Sequence, residues 1–402
     1  MRILRIADVT DNRTGGMSRT MYCTGDCMAA AGHTVDYLFH EHLPAPGPAS
    51  LRRFTVPLVL PGLVRRLARN GRGYDIVEVH EPLAAPYCLA RKRDRRLPPV
   101  ALFSYGLEER GRKAELAYRQ KKGLPVSIKK RYSPMTVVLQ AMLGVRRGDL
   151  VICSNAEDVR YLRQAGVPAE RLTQHHSGVD PEFLQAGETL ARQAPSERKG
   201  ILFLSSWLLR KGILDLVPAV SAVLRAHQAM PCTVAGCGYE AENVLQDFPE
   251  DVRARVEVIP HIATTEPLIG LYGRHSILAL PSYFEGQPLV MIEAAAMGLA
   301  IVTTPICGMA DFIVPGENGL TAPVGDSDAL AAQLRALVED EALARRLGEA
   351  ARRTAQEYTW ARATDRLLAA YARVLGEAPQ EDTSLPAAST LSAPGEPVKN
   401  AR

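Results

Sequence analysis

Polar and apolar positions fall in blocks along this chain. Short, mostly apolar runs occupy 3–9, 34–39, 74–79, 100–104 and 150–153, and a second series occupies 200–204, 232–235, 256–259, 277–280 and 300–303. Runs of this length, rich in Val, Ile and Leu, predict strands covered on both faces, as in a parallel sheet. Helical spacing fills the gaps, as at 18–31, which Gly32 stops, and at 155–165. The chain thus opens on a strand, a loop (10–17), a helix and a second strand. Two successive series of this kind predict two α/β halves, each a doubly wound, mostly parallel sheet. The first half is placed at 1–185, a polar linker at 186–199 and the second half at 200–357. A helical segment with aromatic and Leu spacing follows at 358–376, and 377–402, rich in Pro, Ala, Ser and Glu, is expected to be disordered.

Ligands of doubly wound sheets bind beyond the carboxyl ends of the strands, so motifs just after strands carry the chemistry. The most informative follows the run 277–280. In Pro281-Ser282-Tyr283-Phe284-Glu285-Gly286-Gln287-Pro288 and the apolar helix after it, Glu285 and Glu293 are separated by seven residues. Pro288 suits the first helical position and Gly298 a left-handed cap. Glu293 is the only charge among Leu289, Val290, Met291, Ile292 and the alanines, so its carboxylate needs strong donors, and a ribose diol supplies two. Glu285 precedes the helix, whose exposed N–H groups favour a phosphate.

This segment resembles the E-x7-E motif of glycosyltransferase family four, retaining enzymes of the GT-B fold, and the resemblance extends along most of the chain. It implies two Rossmann-like domains facing each other across a cleft, the first binding the acceptor and the second the nucleotide sugar, with 358–376 crossing back to the first. It assigns Glu285 to the donor sugar's hydroxyls and Glu293 to the ribose, with Gly286, Leu289 and Val290 around them. Val79-His80-Glu81-Pro82 resembles a sequence of mannosyl and related transferases, which would place His80 against the donor sugar or at the reacting centre. Lys211, in Arg210-Lys211-Gly212, matches the lysine that neutralises the donor diphosphate. Gly15 and Gly16 would lie near the phosphates, Gly236 and Gly238 near the nucleotide, and Gly308 near the phosphates with Asp311 after it. The chain departs from the pattern at Ser205-Ser206, where many members carry Gly-Arg. A cation would then come from Arg210, from a basic group of the first domain, or be replaced by N–H groups.

Composition narrows the reading. A length of 402 residues exceeds what one core organises, and 47% hydrophobic with 23% charged residues is ordinary for a globular α/β protein. A net charge of +4 gives no indication of nucleic-acid binding. Seven scattered cysteines make no ligand set and read as reduced thiols. The N-terminus reads as a strand and no run approaches a membrane span, so a cytoplasmic protein is expected, working at the inner face of the membrane if the acceptor is lipid-linked. Gly236-Cys237-Gly238 fits a dinucleotide fingerprint, but the following strand ends without the acidic residue that fingerprint requires. Asp326-Ser327-Asp328 precedes a helix and reads as its cap, not as a metal site. His175 and His176 would point to opposite sides. Basic residues dominate from Arg91 to Arg131, either as a solvated surface or as a face for an anionic acceptor or membrane.

The function expected is transfer of a hexosyl sugar from a nucleotide diphosphate donor, UDP or GDP type, to a hydroxyl acceptor, with retention and without a metal or other cofactor. The acceptor classes are polysaccharide, glycolipid or natural-product precursor. A sugar-nucleotide epimerase and a non-catalytic subunit of the same fold are the alternatives.

Overall fold

The structure, a computed structural model, describes residues 1–13, 15–48, 51–126, 135–192 and 198–377. Two six-stranded, all-parallel sheets form the frame. The first comprises β1 (Arg2–Ile6), β2 (Thr34–Leu38), β3 (Ile76–His80), β4 (Val100–Ser104), β5 (Leu150–Cys153) and β6 (Leu172–Gln174), in spatial order β2-β1-β3-β4-β5-β6. The second comprises β7 (Ile201–Leu204), β8 (Cys232–Ala235), β9 (Val256–Ile259), β10 (Ile277–Leu280), β11 (Ala300–Thr303) and β12 (Leu320–Thr321), in order β12-β11-β10-β7-β8-β9. Every residue of β4, β5, β7, β8, β10 and β11 is buried, as expected of parallel strands with helices on both faces. In each sheet the order reverses once, between β1 and β3 in the first and between β7 and β10 in the second. At these two points the loops diverge and leave room for a ligand.

The domain boundary differs from the expected one. Residues 186–192 continue a helix, Pro181–Arg192, and residues 193–197 of the expected linker lie outside the described residues. Phe183 of this helix packs with Leu278, Met291 and Ala295, so the helix belongs to the second half. The chain passes from the first half to the second just before it, and returns at 358–360. There Val179 N–H donates to Tyr358 O at 2.9 Å, and Val179 pairs with Thr359 in a parallel bridge.

The return helix, Trp360–Leu375, covers the first sheet with Leu367, Ala370 and Tyr371 against Ile3, Ile76, Phe103 and Ile152. Tyr371 carries a hydroxyl into this apolar layer because a buried carboxylate waits there. It donates to Glu78, which also accepts from Arg5 Nη2 at 3.2 Å and bonds His80 Nε2 at 2.9 Å. Burial alone would raise the Glu78 carboxyl, but Arg5, His80 and Tyr371 together hold it down to about 2. Gly376, in the left-handed conformation, ends the helix, and the tail from 378 lies outside the described residues.

Replacing Tyr371 with Phe leaves a buried carboxylate short of one donor. Tyr371→Phe is expected to lower the unfolding free energy by about 2 kcal/mol, typical of a hydrogen bond to a charged group. Urea denaturation checks this, and an unchanged midpoint would remove the hydroxyl from the account of stability.

Candidate functional site

The second sheet's reversal point is where charge gathers. The loop after β7 tightens into a 3-10 turn, Leu209–Lys211, and the loop after β10 runs from Pro281 to Pro288. They meet because Gly212 allows it: its φ is 76°, and a Cβ there would lie 1.9 Å from Pro281 O. Tyr283 N–H then donates to Arg210 O at 3.0 Å. Lys211 Nζ reaches Glu285 Oε1 at 2.5 Å, Arg210 Nη1 lies 3.5 Å from Oε2, and Ser282 Oγ donates to Oε1 at 3.0 Å. Lys211 and Glu285 are both buried.

Pro288 forms the N-cap of the helix Leu289–Ala296, one position earlier than the sequence suggests, and Gly298 turns left-handed after it. No acidic residue occupies the first turn, so the Leu289 and Val290 amides stand at an uncapped positive end. One turn further, Glu293 is buried and fully engaged. Arg19 Nη1 donates to its Oε1 at 2.6 Å and Tyr272 Oη to its Oε2 at 2.8 Å. Arg19 Nη2 also holds Asp180 at 2.7 Å. Burial works against the Arg19 charge, yet Glu293 and Asp180 raise its pKa overall; burial and Glu293 together push the Tyr272 phenol well above its ordinary value.

The first domain closes directly on this loop. A Cβ on Gly286 would lie 2.2 Å from Tyr105 O, and Phe284 rests against Gly106 and Gly111. Ser177 N–H donates to Gln287 Oε1 at 2.5 Å. Tyr118 stacks on Tyr283 with ring centroids 4.5 Å apart and donates to Asp215 at 3.0 Å, and Lys122 pairs with the same Asp215. Asp311 reaches the other way, accepting from Ala156 N–H and Gln174 Nε2, each at 2.8 Å, and burial pushes its carboxyl up to about 6.

The glycine loops behave differently from one another. Gly15 N-caps the helix Gly16–Ala30, while Gly16 has open space where a Cβ would be. Gly236 and Gly238 donate to Ile259 O and Pro260 O at 2.9 and 3.0 Å, and Gly308 donates to Gly286 O at 2.8 Å. Those three amides are therefore committed to the protein and do not face a phosphate. His80 ends β3 as expected, and its ring is buried against Phe103 and Tyr105, centroids 5.2 and 5.5 Å away, with Nε2 turned to Glu78. Tyr105 links it to the cleft loop, stacking on it and bringing its own carbonyl to Gly286.

Asp326 caps the helix Ser327–Glu339 through Ala329 N–H at 2.9 Å, as its sequence context suggests. All seven cysteines are free. The basic run is largely neutralised where it is described: Arg91 and Arg95 lie near Asp149, Arg96 pairs with Asp94, and Arg110 with Asp158 and Glu157. Lys129, Lys130 and Arg131 lie outside the described residues. Among the described residues no helix is long and apolar enough to cross a membrane.

Sequence reasoning missed Arg19, Asp180 and Tyr272. Only Arg19 left a signal, being the one basic residue in an otherwise nearly uncharged helix immediately after the double glycine.

Two family models match in succession. Residues 14–183 match Glycosyltransferase Family 4, and residues 189–354 match Glycosyl transferases group 1. The chain belongs to the family-four, group 1 glycosyltransferases. It is 29% identical to a glycogen synthase of Mycobacterium tuberculosis over 219 residues, 54% of this chain and 52% of that one, so it spans about half of that relative. It is 26% identical over 346 residues to D-inositol 3-phosphate glycosyltransferase 1 of Catenulispora acidiphila, covering 82% of this chain and 80% of that one. Among solved structures, sucrose-phosphate synthase of Thermosynechococcus elongatus superposes with a TM-score of 0.73 at 21% identity, covering 94% of this chain and all of the other. Anabaena HepE in complex with UDP gives 0.65 at 16%, covering 92% and 98%. At these identities the structural likenesses establish the GT-B fold alone.

Glu81, next to His80, is half-buried, with Ser104 Oγ donating to it at 2.5 Å. Burial chiefly, helped by Glu108 and Asp158, pushes its carboxyl up to about 8. Because the folded state holds the proton and the unfolded state gives it up near pH 4.5, stability falls as pH rises from about 4.5 to about 8 and then levels off. Glu81→Gln keeps an acceptor for Ser104 and carries no charge. Its melting temperature is expected to equal that of the parent near pH 5 and to exceed it near pH 8.5. Thermal scans at the two pH values test this, and an equal difference at both would contradict a protonated Glu81.

Proposed function

We propose that this protein transfers a hexosyl group from a nucleoside diphosphate sugar to a hydroxyl acceptor, with retention of anomeric configuration and without a metal. The observation that carries the reading is the placement of Glu285 and Glu293 on either side of an uncapped helix start, opposite Lys211, at the reversal point of the second sheet. Breaking a sugar–phosphate bond leaves positive charge on the anomeric carbon and negative charge on the departing diphosphate. Fixed donors aimed at that leaving group are the largest lever available. Lys211 supplies an ammonium held in place by Glu285, and the Leu289 and Val290 amides supply a positive helix end. Glu293 accepts from the ribose diol, and Glu285 from the hydroxyls of the sugar.

Glu285 is a poor candidate for a glycosidase acid. It already holds Lys211 and Ser282, and a proton on it would cost the ion pair. The acceptor hydroxyl's proton passes instead to the departing phosphate on the same face of the sugar, which keeps the configuration. Closure of the first domain over Gly286 excludes water from the reacting atoms. The relatives' names, a glycogen synthase and an inositol phosphate glycosyltransferase, fit a carbohydrate or polyol acceptor, and the UDP held by HepE fits a UDP donor.

Calorimetric titration with UDP, GDP and ADP tests the donor site. One of the three is expected to bind, with Glu293→Ala and Lys211→Ala each weakening it about tenfold or more, a loss of roughly 1.4 kcal/mol. Incubation of the matching sugar nucleotides with candidate acceptors, read by proton NMR at the anomeric position, then tests transfer and retention. Product from donor alone would identify an epimerase, and binding without turnover would identify a non-catalytic subunit.

A further inference from the structure

Three helices cover the face of the first sheet opposite the return helix. Leu60 and Val64 of Arg52–Arg69, Tyr87 and Cys88 of Ala85–Arg93, and Met142 and Val145 of Met135–Arg147 pack there on Val77, Val79 and Leu102. Together these helices carry ten basic residues and no acidic one, in a chain with 48 basic and 44 acidic residues. Each leads back toward the start of the next parallel strand, so all three run against the strands and parallel to one another. Their first turns therefore lie on the cleft side, where Gln140 Nε2 donates to Pro82 O, just past β3, at 2.9 Å.

The exposed stripe of each helix repeats one order. Leu58 is followed by Arg66 and Arg69, Leu89 by Lys92 and Arg93, and Leu139 by Arg146 and Arg147. Leu58 is 67% exposed and Leu139 72%. Of the nine large apolar side chains exposed among the described residues, five belong to this surface: Leu51, Leu58, Leu89, Met135 and Leu139. Because the helices are parallel, the stripes join into two bands, an apolar one toward the cleft and a basic one beyond it. Arg52, Arg65 and Arg91 are held by Asp8, Asp94 and Asp149, and Arg53 lies over Phe54. The six cations of the basic band make no ion pair among the described residues.

Solvation accounts for the cations, but apolar side chains gathered on one face mark a surface that is covered in use. A nucleic acid or other anionic polymer would pair with the basic band and leave the leucines in water. A second copy in a two-fold contact would set unpaired cations against unpaired cations. A bilayer containing anionic lipid offers hydrocarbon and phosphate at successive depths, matching both bands. Leu58 and Arg66 are separated by about 12 Å of helical rise, close to the roughly 5–10 Å by which interfacial apolar faces sink below the headgroups. Long basic side chains span the difference.

We propose that this face docks on an anionic lipid bilayer, with the Leu58, Leu89 and Leu139 band entering the acyl boundary and the basic band meeting the phosphate headgroups. Docking of this kind sets the first domain on the lipid surface by the end of its helices nearest the cleft. It does not depend on the donor site, none of whose residues lies on these helices.

Sedimentation of the full chain with vesicles tests it, using phosphatidylcholine alone and phosphatidylcholine mixed with phosphatidylglycerol. The protein is expected to bind the mixed vesicles about tenfold more tightly than the neutral ones. Arg66→Glu with Arg69→Glu, or salt of about 1 M, where screening acts within about 3 Å, is expected to remove that preference. Leu58→Asn with Leu139→Asn is expected to weaken binding to the mixed vesicles about tenfold or more, while Val314→Asn, at an exposed apolar site elsewhere, leaves it unchanged. Binding of nucleoside diphosphate in solution is expected to be the same in all these variants, so this proposal and the donor-site reading fail separately. Failure of the parent to bind mixed vesicles overturns the proposal. So does full binding by the leucine variant with equal binding to soluble polyphosphate, the mark of a polyanion site. A dimer in light scattering that the leucine variant dissociates overturns it in favour of a second copy. Should a variant fail to melt cooperatively, hydrogen exchange of the parent decides: mixed vesicles are expected to protect 52–69 and 135–147, and no protection there overturns the docking.

Discussion

An ionised carboxylate buried in a protein interior must be matched by a cation or by strong donors, and two such carboxylates lie in one cleft here. Glu285 is neutralised from within its own domain by Lys211 and Arg210. Glu293 is neutralised across the domain boundary by Arg19. Much of the local architecture serves these pairs. Gly212 exists so that the Lys211 turn can lie flat against Pro281, and Gly286 so that the Tyr105 carbonyl can come down on the loop. Remove the carboxylates, and neither the close approach of the two loops nor the bridge between the domains has an electrostatic reason.

A second buried carboxylate system holds the first domain together. Glu78 lies beneath the return helix and is satisfied by groups from β1, β3 and that helix. His80 belongs to it. The residue that motif similarity would send to the reacting centre is a member of this network, and Tyr105 connects it to the cleft loop. Glu78 and His80, on one face of β3, serve the core, and Glu81 follows just beyond the strand.

How much of this was legible follows from the range of each interaction. The strands of both sheets could be read because continuous burial leaves an apolar run, and the helix at 289–296 because Pro288 and Gly298 punctuate it. β6 and β12 escaped: three and two residues are too few to leave a pattern. Residues 186–192 of the supposed linker are helical because Phe183 and its neighbours find a partner surface on the second domain, a tertiary fact that local polarity hides. Lys211 and Glu285 could be anticipated because both follow strands at the reversal point. Arg19, Asp180 and Tyr272 could not, since their meeting depends on how the two domains face one another. The basic run left two readings open for a related reason: part of its charge is answered by acids elsewhere in the chain, such as Asp149 and Asp158, and by Asp215 across the cleft.

The two passes of chain between the domains lie side by side, with Gly178 so close to the backbone at Trp360 that a Cβ there would be 2.3 Å from its nitrogen. Two parallel strips clamped together form a flexure: they bend readily about an axis across both strips and resist twisting along their length. Opening of the cleft has to bend both strips together, and Tyr105 lies over Gly286 when it is shut. Asp180 is one residue from the clamp, bound to Trp360 Nε1 on one strip and to Arg19 at the cleft. Asp180 thus ties the crossing between the domains to the arginine that holds Glu293, so one carboxylate is shared by the hinge and the cleft.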